Sequence, residues 1–138
     1  MIPQQQSDTP PQPIIFWLIW TTILTGLFYI LFFVGGGWPS GNNTASVSSL
    51  LLFMILSGAV ISTIIRWAVL PRINSIQSVF TTMIIGLALA EGTGILGIFL
   101  IGSDFPETQR ITFIASVAAI LQYIPTYASS TKLAKRSQ

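Results

Sequence analysis

Four stretches of this chain stay almost free of charge for long enough to cross a bilayer, and few folds survive that constraint. A helix needs about 20 predominantly apolar residues to span the ~30 Å hydrocarbon core. Residues 14–34 carry no charge, 45–70 carry Arg66 near their end, and 79–101 carry Glu91. Residues 111–128 are uncharged but short, with Gln122 and Pro125 inside. Open strands find no backbone partners in lipid, and runs of this length without strict alternation do not suit a barrel. The expectation is an all-α, integral membrane four-helix bundle, a single domain over residues 14–128.

Composition agrees and removes whole classes of chemistry. Charged residues make up 7% of the 138 and apolar ones 51%, against about 25% charged in a soluble domain. There is no His and no Cys. Zinc or haem sites on imidazole or thiolate, Ser-His-Asp and Cys-His catalysis, and disulfides are thereby excluded. Six Lys/Arg against four Asp/Glu give a net charge of +2, with no basic stripe for nucleic acid. No metal and no cofactor is expected, and the chain does not read as an enzyme.

The connections are legible as well. Gln4-Gln5-Gln6 and Pro10-Pro11-Gln12-Pro13 read as a disordered leader over residues 1–13. Gly35-Gly36-Gly37-Trp38-Pro39-Ser40-Gly41 should end the first span, Pro71 the second and Gly102-Ser103-Asp104-Phe105-Pro106 the third. Lys132, Lys135 and Arg136 lie in a basic tail, 129–138. With four spans, both termini and the central loop share one side, which holds five of the six basic residues; both termini should be cytoplasmic. A multi-pass protein of the bacterial inner membrane is the expected location. Trp17, Trp20, Trp38, Trp67 and Tyr127 stand near span ends, where aromatic rings favour the headgroup level. Asn42-Asn43-Thr44 is a formal glycosylation triplet of little weight. Asp104, Glu107 and Arg110 read as a solvated turn.

Glu91 is the acid that needs a reason. It lies about 18 Å along the third span, counted from Val79 at 1.5 Å per residue. A charge at that depth costs roughly 2.5–3.5 kcal/mol, so the neutral acid is favoured. Such a carboxyl can bind and release a proton, or serve as one helix-to-helix hydrogen bond. Gly86, Ala90 and Gly94, with Gly97 beyond, give the same helix a smooth stripe for close approach. Polar partners within the chain are sparse: Ser57, Ser62 and Thr63 on the second span, Ser116 and Gln122 on the fourth. Thr93 lies about 200° around the helix from Glu91, and Arg66 should snorkel outward at the interface.

Thr82-Met83-Ile84-Ile85-Gly86-Leu87-Ala88-Leu89-Ala90-Glu91-Gly92-Thr93-Gly94-Ile95 resembles the ion-carrying helix of rotary ATP synthase subunit c. The likeness covers residues 71–101, including Pro71-Arg72 in the preceding loop. It implies that Glu91 carries the transported ion, and Gly92 in place of the serine of sodium-binding members points to a proton. Gly58 is the lone glycine of the second span, where the first helix of a c hairpin has glycine at alternating positions. In length, four-span topology and an acid in the third span, the chain also resembles the accessory subunit I family of ATP synthase. Ile95 stands where that family places a lysine one turn after its acid. The expectation is a structural, accessory or assembly subunit of a larger membrane complex with a protonatable midplane carboxyl; the alternative is a subunit c-like, proton-binding component of an ion-translocating oligomer. Its partners would be other membrane subunits or further copies, met through intramembrane helix faces, together with lipid.

Overall fold

A computed structural model describes residues 12–41 and 46–128. Among these residues there are four α-helices and no strand. The leader before Gln12, the Asn42-Asn43-Thr44 triplet and the basic tail lie outside them. Helix α1 runs Pro13–Tyr29, α2 Ser49–Ile64, α3 Ile76–Leu96 and α4 Pro106–Leu121. With their terminal turns, the stretches Pro13–Val34, Ser49–Arg72 and Ile76–Asp104 are long and apolar enough to cross a membrane.

Each of the three long helices ends in a widened turn, over Ile30–Val34, Ile65–Val69 and Gly97–Ile101. The amides of Gly35, Leu70 and Gly102 reach back five residues, to the carbonyls of Ile30, Ile65 and Gly97. Such turns take up carbonyls that would otherwise lack donors at a helix end. Gly36, Gly37 and Gly102 then adopt positive φ, a region glycine enters without steric cost, and the chain reverses. Pro71 sits inside a final tight turn, Leu70–Arg72.

The fourth helix departs most from the sequence expectation of 111–128. It begins at Pro106, because proline suits the first helical position and Glu107 follows in the first turn, where the helix dipole favours an acid. It stops at Leu121: Pro125 disfavours a helical Ile124, and a short turn, Pro125–Ala128, follows. Sixteen residues cover about 24 Å, less than a full crossing. The second helix begins at Ser49 rather than Ala45, which lies outside the described residues; Ser46, Val47 and Ser48 are not helical. Serine side chains compete for nearby backbone groups and weaken a helix start.

Helix α3 is the centre of the molecule. It packs on α2, α4 and α1, whereas α1 and α2 share no substantial interface. Its core face carries Val79, Met83 and Leu87, all fully buried with Phe16, Leu27 and Ile120 around them. The opposite surfaces are apolar and exposed: Leu18, Phe32 and Phe33 on and just beyond α1, Phe53, Val60 and Ile64 on α2, Ile85 and Phe99 on α3 and its last turn. Helices alternate in direction, so that Trp17, Trp20, Arg66, Trp67, Arg72 and Tyr127 gather at one end and Trp38, Asp104 and Glu107 at the other.

Candidate functional site

The small-residue stripe of α3 is filled from within the chain. Gly86 lies directly against the Tyr123 hydroxyl, and Gly97 against Thr112. A Cβ on Gly94 would meet Ser116 Oγ and Leu27 Cδ1, both at 2.7 Å. The Ala90 carbonyl accepts a hydrogen bond from Ser116 Oγ at 2.6 Å. Gly86, Ala90, Gly94 and Gly97 are all buried. The stripe that the sequence offers for close approach of another helix is thus covered by α4 and the segment just beyond it.

Thr93 faces α2. Its Oγ1 donates to the Ile55 carbonyl at 3.2 Å, and Gly58 makes room, for a Cβ there would stand 2.7 Å from Thr93 Oγ1. Ser62 Oγ donates to the Gly86 carbonyl at 2.7 Å, and the Tyr123 hydroxyl donates to the Ser62 carbonyl at 2.6 Å. Helices α2, α3 and α4 are thus cross-tied by hydroxyls. Each such bond contributes roughly 0.6 kcal/mol in a bilayer, so together they specify register more than they add stability.

Glu91 stands apart from this network. Its carboxyl points into the seam between α3 and α1, where Oε1 lies 3.8 Å from the position a Cβ on Gly26 would take. The side chain is half-buried, and no side chain or backbone group among the described residues hydrogen-bonds to it. The five polar residues expected around it are engaged elsewhere. Ser57 donates to the Met54 carbonyl and Thr63 to the Ala59 carbonyl. Ser62 and Ser116 bond the α3 backbone at Gly86 and Ala90. Gln122 pairs with Trp67 and Thr63. All five lie on α2 and α4 or just past α4, whereas the acid faces α1. Beside Glu91, a side chain on Gly92 would meet open space. Counted from the observed start at Ile76, the acid lies about 22 Å along the helix.

Space at Gly26 is limited but real. Gly26→Ala adds a methyl at ordinary contact distance and should leave stability within about 0.5 kcal/mol. Gly26→Leu drives a branched side chain into the carboxyl and should cost about 1–3 kcal/mol, read as a lowered thermal midpoint in detergent.

A second polar cluster lies at the end of α4. The carbonyls at the end of α4 are met by donors from two other helices: Trp20 Nε1 reaches Ile120 O at 2.9 Å, and Arg66 Nε reaches Gln122 O at 2.6 Å. Arg66 also packs over the Trp67 and Tyr127 rings, 5.1 and 4.8 Å from their centroids. It therefore turns toward the bundle rather than snorkelling outward, because a helix that stops short leaves carbonyls needing donors and a cation at a helix C-terminus is favourable. The signal available in sequence was an arginine beside a tryptophan inside a long apolar run.

Among the described residues, no three His, Cys, Asp or Glu side chains come together as a metal site requires. Compared with protein-family models, curated proteins and solved structures, the chain matches none.

Proposed function

We propose that the chain is a small, non-catalytic integral membrane protein, with three long helices crossing the bilayer, the shorter α4 and the turn that follows it through Ala128 completing a fourth pass, and both termini cytoplasmic, and that it acts as a structural, accessory or assembly subunit of a larger membrane complex. Glu91 supplies its special chemistry as a protonatable carboxyl. The observation that carries this reading is the Glu91 side chain itself: half-buried in the α1–α3 seam, next to open space at Gly92, with no hydrogen-bond partner among the described residues. Large apolar side chains exposed around α1, α2 and α3 support the membrane setting, since soluble monomers rarely expose contiguous apolar surface of this extent. Intramembrane acids are functional by default, and one with no partner among the described residues of its own chain is suited to another subunit or to proton exchange. A subunit c-like ring is favoured less, because α4 covers the stripe through which copies would approach closely.

Two measurements test the reading. Gentle extraction in mild detergent, with the native mass determined and associated subunits identified, should recover the chain with other membrane proteins. A homo-oligomer of ring size would instead favour the alternative, and a lone monomer would count against both. A hydrophobic carbodiimide attacks the protonated acid, so labelling should fall as pH rises and vanish in Glu91→Gln. Slow labelling at every pH would make the acid a static structural group.

A further inference from the structure

Between α2 and α4 runs an apolar groove of about 390 Å³, walled by Ala59, Ala115, Ala118 and Ala119 and reaching Thr63 and Gln122 at one end. Facing alanines leave a trough where larger side chains would interdigitate. Along α2 it extends from Leu56 to Ile64, about 12 Å at 1.5 Å per residue. At its polar end, Trp67 Nε1 donates to Gln122 Oε1 at 3.0 Å and Gln122 Nε2 donates to Thr63 Oγ1 at 3.3 Å. Both halves of the Gln122 amide are thereby fixed. Arg66 spends its Nε on the Gln122 carbonyl, while its terminal nitrogens take no acceptor among the described residues. Those nitrogens carry four of the five guanidinium N–H donors, in the planar fork that matches a phosphate. Arg72, exposed and bonded to the Ala68 carbonyl, adds a second positive charge nearby.

We propose that this groove binds one anionic phospholipid, with an acyl chain along the alanines between α2 and α4 and the phosphate on Arg66, framed by Trp67 and Tyr127. Charge complementarity selects the occupant. The trough is almost entirely carbon and its lining ends at Thr63 and Gln122; the charge beside that end is Arg66, held on the Gln122 carbonyl just outside the lining, which calls for an anion attached to a hydrocarbon chain. A neutral helix fills the trough but leaves the arginine fork unanswered, and a zwitterionic lipid brings its phosphate together with a cationic headgroup that offsets the attraction to Arg66 and Arg72, so a lipid of net negative charge is preferred. The proposal goes beyond the accessory role and is independent of Glu91; it requires only that the protein sits in a membrane.

Native mass spectrometry of the full chain in mild detergent, titrated with phosphatidylglycerol or phosphatidylcholine, tests it. Phosphatidylglycerol should be retained in preference, as a single adduct. Arg66→Gln should weaken that retention roughly fivefold, the change corresponding to about 1 kcal/mol per basic residue at an anionic surface, and bring it to the phosphatidylcholine level. Because Arg66 also holds the end of α4, Arg66→Lys serves as the second variant, keeping the charge and most of the preference. Ala118→Phe, which blocks the trough without touching the arginine, should weaken retention of both lipids. Equal retention by wild type, Arg66→Gln and Ala118→Phe overturns the proposal. So does displacement of the lipid by millimolar glycerol phosphate, which would make the site one for free phosphate. Cross-linking of Ala118→Cys to another polypeptide or a second copy, in place of lipid, overturns it as well.

Discussion

Gly86→Ala should destabilise the protein by about 1–3 kcal/mol, although alanine is the better helix former. The exchange gains about 0.5–1 kcal/mol from reduced freedom in the unfolded chain. Against that, the new methyl falls within the Tyr123 hydroxyl and the ring carbons behind it. Overpacking of this kind costs about 1–3 kcal/mol, and displacing the ring breaks the bond from Tyr123 to the Ser62 carbonyl, worth about 1 kcal/mol more. Tyr123 is fully buried, so the ring has no solvent side to move into. A fall of several degrees in the thermal midpoint is the expected reading. Combining Gly86→Ala with Tyr123→Phe should cost less than the two separate changes together, since residues in contact do not add. Gly92→Ala, where the new methyl meets open space, should be neutral or slightly stabilising; equal losses at both glycines would refute the packing account.

The second large effect is expected at Arg66. Arg66→Met keeps the length and apolar stem but removes a charged hydrogen bond to Gln122, worth about 1.5–3 kcal/mol. It also removes cation contacts over two rings, each about 0.5–1 kcal/mol. The loss should be local. Backbone amides near the end of α4, whose carbonyls Arg66 and Trp20 cover, should exchange hydrogen faster while those around Thr93 stay protected. Uniform loss of protection across all four helices would show that Arg66 holds the whole bundle rather than one end of it.

Much of this architecture can be read from the chain before any coordinates. Three runs of apolar residues become three long helices, and glycine at 35–37 and 102 marks two of their ends because backbone freedom is a local property. The fourth helix was harder. Hydropathy alone places its start at Ile111, yet Pro106 and Glu107 are ordinary start signals in a polar segment that hydropathy passes over. The stripe of Gly86, Ala90 and Gly94 announces close packing, but spacing on one helix cannot say which neighbour arrives, and here it is α4. Nor can spacing pair Ser62 with Gly86 or Arg66 with Gln122, because those bonds depend on how far helices slide past one another. Glu91 stands out in the sequence by its charge alone. That it faces Gly26, away from Ser57, Ser62, Thr63 and Ser116, follows from the order in which the helices surround α3.

That order has a consequence for how the molecule is made. Helix α1, synthesised before the other three, finds its main contacts on α3 and at the end of α4, and almost none on α2. Its tie from Trp20 to Ile120 spans 100 residues, so it cannot close until nearly the whole described chain has been synthesised. In the proposed membrane setting, α1 waits through that interval as a solitary helix, with Gly26 and its aromatic residues uncovered, while α2 and α3 pair behind it. Chains stalled before α4 should therefore present α1 to whatever insertion factors or early partners are at hand, and the arrival of α4 is what closes the bundle around α3.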